Sequence, residues 1–537
     1  MAEKLASLWP EITLFVATCV VMVVGLSPNQ AARRMCPLLT GLALAAAGIL
    51  ALGTGQDAKG LMPGMMPYAK AVIAFVGVLL TMLLVGVVDR FEEQAIERGD
   101  AAFDPGRSTR GEFFAFFLFS MTGLMLCASA DSLIWLFLAL ELTSLPTYVM
   151  VAMSSARQKS KEAGVKYFFL GAMGAAVFLY GFALIYGGTG SVHMTGIRDA
   201  LAAQSLDGGL NPIALAGFVV ALVGIGFKIA SVPMHFYAAD VYQGAASPVS
   251  AMLAFVPKTA GFLAIILLCA SLGWRFGESG SQLPEAVRVT LWVMAALTMF
   301  VGNVLAWLQT SVKRMLAYSS VAHSGYMLVG VIVGPGDSFT ESGIAAVLFY
   351  LLAYGIMNTG GFAIVSALET RRAAVTDTGE LIHDEADDIN AFRGLCRTSP
   401  VLGWSMVLCA LSLLGFPLTL GFFGKLPLFT AGISAGEIPL VLVLGINSAI
   451  AAFYYLRLVA LPLFEHAGDE AELYTETPTN ARRVAGLISA GGVLVLTVFA
   501  SPLMDAAFDA TGVSPAPEPG LAEQPTPLLE ERSALAD

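Results

Sequence analysis

The sequence predicts an all-α integral membrane protein with about fourteen transmembrane helices, ordered as two inverted five-helix repeats that each contain a broken helix. Three observations predict it. The chain of 537 residues is 57% apolar and only 13% charged, outside the range of soluble domains. Windows of about 18 or more apolar residues, enough to cross roughly 30 Å of hydrocarbon, recur along its length. Two of those windows are interrupted by proline in the same manner.

The windows fall at 8–26, 36–53, 70–88, 112–130, 132–152, 163–187, 212–243, 247–272, 286–308, 313–334, 342–368, 400–432, 438–464 and 484–505. The first follows a single lysine and has no A-x-A-like cleavage site, so it is expected to be a retained span and not a removed signal. The fourth and fifth nearly run together, with a turn expected at Asp131. The windows 212–243 and 400–432 contain the interruptions GFKIASVPMH, around Pro233, and LLGFPLTLGFFGK, around Pro417. Proline removes an intrahelical hydrogen bond and clashes with the preceding turn, so the freed backbone groups need a polar or protein-lined setting.

Lysine and arginine sort between alternate loops. Odd-numbered loops carry Arg33, Arg34, Arg90, Arg98, Arg107, Arg110, Arg157, Lys159, Lys161, Lys313, Arg314, Arg371, Arg372, Arg393, Arg397, Arg482 and Arg483. Even-numbered loops and the termini carry only Lys4, Lys59, Lys70, Arg198, Arg275, Arg288 and Arg532. The excess predicts odd loops in the cytoplasm and both termini on the other side.

The two breaks fall in the fourth helix of each unit when spans four to eight and nine to thirteen are grouped. Five is odd, so the second unit enters the membrane inverted relative to the first, the architecture of secondary transporters with an ion path near the midplane. The expected organisation is 1–111, three N-terminal helices; 112–272 and 273–464, the two repeats; 465–505, the last helix; and 506–537, a disordered acidic, proline-rich tail. The HDEADD stretch in the loop 371–399 is expected to be a solvated segment. The formal charge of −11 lies mostly in loops and tail and argues against nucleic-acid binding. Cys19, Cys36, Cys127, Cys269, Cys396 and Cys409 show no C-x-x-C or cluster spacing, which argues against iron–sulfur, zinc or haem attachment and for small apolar packing residues.

Five cations remain inside spans: Lys166, Lys228, Lys258, Lys425 and Arg457, with Glu141 as the acid. Each charge at a helix centre costs about 2.5–3.5 kcal/mol, so these groups are expected to face one another or water. Lys258 sits mid-span in AFVPKTAG with no interface within reach. Lys228 ends the first half of one broken helix, and Lys425 follows the other break. Burial disfavours the ammonium while a nearby carboxylate favours it, so a lysine held between the two effects can load and release a proton. Glu141 is expected to pair with Lys228. Lys166 lies near the cytoplasmic end, where snorkelling competes with function, and Arg457 reads as an interface anchor. Ser319, His323 and Tyr326 share one helical face, and His323 follows Glu141 by 182 residues, close to the 184 residues between the breaks. His323 and His235 are relay candidates; His193, His383 and His466 lie in loops.

The stretches LALELTSLPTYVMVA, KYFFLGAMGAAVFLYGFALIYG, GFKIASVPMHFYAADVYQGA, SVKRMLAYSSVAHSGYML, LSLLGFPLTLGFFGKLPLF and SAIAAFYYLRL resemble the antiporter-like subunits of respiratory complex I. DVYQGA and Lys425 resemble the N branch of that family more than its paralogues. The resemblance implies that protons pass along a polar axis at mid-membrane. It implies that Glu141, Lys228, Lys258 and Lys425 match the family's Glu and three Lys, with Lys166, His235 and His323 supporting. Ala238 and Ala239 stand where tryptophan and proline are common in the family, and Leu420 replaces a frequent alanine.

The resemblance implies a proton-translocating membrane subunit of NADH:quinone oxidoreductase in a bacterial inner membrane. Such a subunit has no cofactor or metal of its own. NADH, FMN, iron–sulfur clusters and quinone are expected in partner membrane and peripheral subunits. The alternative is a subunit of a multi-subunit sodium/proton antiporter, which keeps the Glu and Lys axis. A quinone-binding redox subunit is the reading of another class, and the sequence lacks paired histidines at haem spacing, a metal cluster and a nucleotide loop.

Overall fold

A computed structural model of the chain describes residues 7–53, 61–89, 96, 99, 102–106, 108–155, 157–206, 209–277, 280–370, 374–375, 381–382, 385–466, 474–476 and 480–512. The helices run α1 (Trp9–Gly25), α2 (Cys36–Gly53), α3 (Met65–Leu84), α4 (Arg110–Ala128), α5 (Leu133–Met153) and α6 (Gln158–Thr189). They continue as α7 (Met194–Leu206), α8 (Pro212–Ile225), α9 (Ala238–Gly244), α10 (Ser247–Leu272), α11 (Glu285–Trp307) and α12 (Val312–Val333). The last are α13 (Gly343–Ser366), α14 (Pro400–Leu414), α15 (Leu420–Ser434), α16 (Ile438–Phe464), α17 (Asn480–Val498) and α18 (Ala500–Asp509). Among the described residues, 11 helices are long and apolar enough to cross a membrane, and α1, α8 and α14 are shorter apolar helices.

The starts follow local chemistry. Ser132, Asn211, Ser311 and Ser342 each accept a hydrogen bond from a first-turn N–H, and Pro212 and Pro400 open their helices where a missing N–H costs nothing. The expected turn at Asp131 is real: α4 ends at Ala128 and Ser132 caps α5.

Helices α10 and α13 are buried along their whole length, as apolar helices without a polar face must be. They form the centre with α12, which is almost wholly buried as well, and spans such as α5, α6 and α16 turn apolar side chains outward, among them Leu138, Phe169 and Leu442. Five of the six cysteines are buried and none is disulfide-bonded; Cys19 is exposed.

Both breaks occur. With 14 residues α8 is about 21 Å long, short of the roughly 30 Å of hydrocarbon, so its C-terminal end stops inside the membrane. Residues 226–237 then turn irregularly, with Ala230 at φ 53°. Their freed backbone groups are taken up by side chains: Tyr237 donates to Phe227 O at 2.8 Å, Ser324 to Ile229 O at 2.5 Å, and Val232 N–H donates to Thr298 Oγ1 at 2.9 Å. At the second break Gly415 and Leu418 take φ of 85° and 69°, and Gly421 N–H donates to Ser412 Oγ at 3.0 Å.

Three expectations change. The last window divides into α17 and α18 at Phe499, and α18 carries helix to Asp509, past the expected start of the tail at 506. HDEADD is not solvated throughout: Glu385 and Asp387 fold inward onto the starts of α10 and α12. Besides Glu141, well inside α5, Glu11 in the first turn of α1 is a buried acid near a helix end. It meets Lys70, expected in a loop, at 2.7 Å with both side chains almost wholly enclosed. Lys4, Lys59, Arg90, Arg98, Arg107, Arg371, Arg372, His383, Arg532 and the tail from 513 lie outside the described residues.

Candidate functional site

The site begins where α8 ends. Lys228 Nζ lies 3.1 Å from Glu141 Oε1 and 2.5 Å from Ser144 Oγ, and Lys228 is 3% exposed. Glu141 and Ser144 are three residues apart on α5, one helical face, so the carboxylate and hydroxyl approach the ammonium together. Gly261 of α10 packs against Lys228 and Ile229, and a Cβ there would come within 2.6 Å of the Ile229 side chain.

From the break the contacts continue through α12. Ile229 O accepts from Ser324 Oγ, which also lies 3.3 Å from Ser320 O. Lys258 Nζ donates to that same Ser320 carbonyl and, at 2.6 Å, to Ser320 Oγ. It also sits 4.4 Å above the ring of Tyr354, where the π face favours a cation. Pro257 precedes Lys258 inside the helix, removing one intrahelical bond beside the lysine.

His323 occupies a chamber of tyrosines. Its Nδ1 is 2.6 Å from Tyr350 OH and its Nε2 is 2.9 Å from Tyr455 OH, and Tyr455 also meets Ser319 Oγ. The rings of Tyr354 and Tyr326 lie 5.0 and 5.5 Å from the imidazole. Ser319, His323 and Tyr326 therefore share a face, as their spacing predicts.

Lys425 closes the line. Its Nζ is 5.0 Å from the Tyr326 ring and donates to Leu413 O at 3.1 Å and Leu414 O at 2.8 Å. Those carbonyls end α14, so the ammonium reaches back across the break to satisfy a helix C-terminus. Glu141, Lys228, Lys258, His323 and Lys425 thus lie in one row: a hydrogen bond joins Glu141 to Lys228, the backbone from Lys228 to Ile229 leads on to Ser324, Ser320 and Lys258, and tyrosine rings lie between Lys258, His323 and Lys425.

Two candidates stand apart. Lys166 is exposed on α6, pairing with Glu162 at 2.7 Å and Asp240 at 3.4 Å around a cleft of about 170 Å³. His235 packs against Phe236 with ring centroids 4.7 Å apart, and among the described residues no hydrogen bond joins it to the row. Arg457 donates to Gln309 O at 3.2 Å, an anchor at a helix end.

Ser144, Ser320, Ser324, Tyr350, Tyr354 and Tyr455 belong to the site without having been singled out as site residues in the sequence. The four-residue spacing of Tyr350 and Tyr354 and the three-residue step from Glu141 to Ser144 were available signals.

Residues 130–451 match the family described as NADH:quinone oxidoreductase/Mrp antiporter, TM. The chain is 39% identical over 449 residues to NADH-quinone oxidoreductase subunit N of Mycobacterium tuberculosis, covering 82% of this chain and 77% of that one. It is 35% identical over 522 residues to the subunit N of Myxococcus xanthus, covering 90% and 94%. A chain of respiratory complex I from Thermus thermophilus superposes with a TM-score of 0.73 at 29% identity, covering 94% of this chain and 100% of that one. A chain of the Mrp complex from Dietzia shares the fold alone, with a TM-score of 0.72 at 17% identity over 95% and 97%. The row of buried charges is therefore read in a chain that belongs to the NADH-quinone oxidoreductase subunit N family.

Proposed function

We propose that this chain is the proton-translocating membrane subunit of NADH:quinone oxidoreductase, moving protons along the row from Glu141 to Lys425 while quinone is reduced elsewhere in the complex. The observation that carries the reading is the row itself: three lysines, each at most 5% exposed, lie in one line with serine hydroxyls, a histidine and aromatic rings. Enclosed ammonium groups are costly inside a membrane and are rare there without a functional setting.

The chemistry follows from the contacts. With Glu141 beside it, the Lys228 ammonium is favoured; drawing the carboxylate away leaves an uncompensated charge and favours release of the proton. From Lys228 the proton has to cross to Lys258, whose ammonium meets Ser320; Ser324, on the Ile229 carbonyl, lies between the two. His323, with one nitrogen on Tyr350 and the other on Tyr455, can accept a proton on one side and return one on the other. Lys425 is the last group of the row.

The architecture of the proposal is fourteen crossings, with three helices before residue 112, inverted repeats at 112–272 and 273–464, and a last helix beyond 465. The odd loops and HDEADD face the cytoplasm of a bacterial inner membrane, and both termini face outward. Tyr167 and Tyr350 support the repeats, since each follows the acid or histidine of its unit by 26 or 27 residues and packs beside the row. The chain carries no redox centre of its own in this reading; NADH, FMN, iron–sulfur clusters and quinone belong to partner subunits.

The test is Lys258→Ala in the assembled complex. Protons moved per NADH oxidised are expected to fall, and an unchanged ratio refutes the relay role. The sodium/proton antiporter reading shares the axis but not the subunit N relatives, and co-purification with flavin and iron–sulfur subunits separates the two.

A further inference from the structure

The segment 385–388 belongs to the connection between α13 and α14, yet its carboxylates are engaged by three other elements. Glu385 accepts hydrogen bonds from the Ser247 backbone N–H at 2.9 and 3.0 Å and from the Ser247 hydroxyl at 2.7 Å, and meets Lys313 Nζ at 3.1 Å. Asp387 accepts from Ser311 Oγ at 2.6 Å, from the Lys313 N–H at 3.1 Å and from Gln243 Nε2 at 2.9 Å. Lys313 Nζ also donates to Ala245 O at 2.6 Å. Backbone bonds from Val312 N–H to Asp387 O and from Ile389 N–H to Thr310 O, at 2.7 and 3.0 Å, fix the segment itself.

These partners are not scattered. Ser247 is the first residue of α10 and Ser311 is the cap of α12, so the two carboxylates sit on the unpaired N–H groups that open these helices. Helix α10 carries Lys258 and α12 carries Ser320 and His323. Gln243 lies on α9, the far half of the broken helix that begins beside Lys228. Lys258 stands eleven residues from Ser247 and Ser320 nine from Ser311, about 16 and 14 Å along rigid helices. An axial slide of one helix past the other by about 1.5 Å, one residue's rise, shifts Lys258 Nζ against Ser320 and lengthens and bends their 2.6 Å contact.

We propose that the segment 385–388 is a clamp that sets the axial register of α10 against α12, making Glu385 and Asp387 positioning residues for the transfer at Lys258. The proposal rests on the relay reading of Lys258. Neither carboxylate touches the row; both act through the helices that carry it.

The experiment uses inverted membrane vesicles containing the assembled complex and measures protons moved per NADH oxidised for Glu385→Ala, Glu385→Gln and Lys258→Ala. Glutamine still accepts from Ser247 but loses the charge facing Lys313, whereas alanine loses both. A clamp predicts a fall in Glu385→Ala and a smaller fall in Glu385→Gln. An unchanged ratio in Glu385→Ala overturns it, and equal losses in both variants overturn it in favour of Glu385 itself carrying the proton. If Glu385→Ala does not assemble, Asp387→Ala against Asp387→Asn makes the same comparison at the other helix start. An unchanged ratio in Lys258→Ala sinks the underlying relay reading, while a fall in Lys258→Ala beside an unchanged Glu385→Ala sinks the clamp alone.

Discussion

Lys228 and Glu141 stand 3.1 Å apart in the middle of an apolar bundle, the lysine side chain 1% and the glutamate 19% exposed. The asymmetry matters. The ammonium has nowhere to go, while the carboxylate borders the outer face of α5 beside exposed Leu138 and Leu145. In this pair the acid is the partner with room to move, and the lysine is the partner whose charge depends on it.

Glu141→Gln is therefore expected to abolish most proton translocation in vesicles. Removing one member of a buried pair costs about 3–5 kcal/mol and leaves the Lys228 ammonium without its counter-charge. Glu141→Asp retains the charge at a longer reach and is expected to keep part of the activity. Protons moved per NADH measure both, and a fully active Glu141→Gln refutes the pairing as the control of Lys228.

Tyr455→Phe tests the other end of the row. Its hydroxyl joins Ser319 to His323 Nε2, and its removal leaves a buried imidazole nitrogen without that partner, at about 1–3 kcal/mol. Proton translocation is expected to fall while subunit assembly is retained. Combined with His323→Gln the losses are expected to be less than additive, because both variants cut the same connection. Strict additivity indicates that Tyr455 and His323 act separately.

Much of this was legible in the sequence. The windows at 36–53, 247–272 and 438–464 coincide with helices to the residue, because long apolar runs bounded by proline or glycine leave little freedom in where a helix starts and stops. Glu141, Lys228, Lys258 and Lys425 declared themselves because a charge inside an apolar run is costly wherever it points. The tyrosines and serines did not, since such residues are unremarkable in a span until the fold shows what they touch. Lys70 and Glu11 were missed for a different reason: both lie near window ends, where a charge is affordable, and only packing of α1 against α4 and α3 against its neighbours shows them enclosed. HDEADD was misread in part because Glu385 and Asp387 are held by residues far away in sequence, a pairing that local composition cannot display.

Packing of α6 against α8 sets a stability prediction. Gly224 lies so near α6 that a Cβ would stand 2.4 Å from Phe178 N, a backbone atom that cannot yield without displacing the helix. Small residues let membrane helices approach closely, and this approach also holds Phe178 within 5.7 Å of Lys228. Gly224→Val is expected to destabilise the subunit by about 1–3 kcal/mol and to lower its amount in the assembled complex. Gly224→Val assembled at wild-type amounts, measured by quantitative blotting, contradicts the close packing.

Glu385 supplies the pH dependence. Burial pushes its carboxyl up, but the Lys313 and Arg482 charges and the hydrogen bonds from Ser247 more than offset this and hold it below its ordinary 4.5. Arg157 is the further cation facing it, and Asp387 is the acid on the same segment. A carboxyl held lower in the folded state than in the unfolded one adds stability that is complete above pH 4.5 and lost as pH falls through the folded value. Glu385→Gln cannot titrate. The thermal midpoint of the wild-type subunit in the complex is therefore expected to exceed that of Glu385→Gln at neutral pH, by an amount corresponding to about 1–2 kcal/mol, and the two are expected to converge as pH drops below that range. A gap that persists unchanged in strong acid shows that the charge on Glu385 is not what anchors the segment.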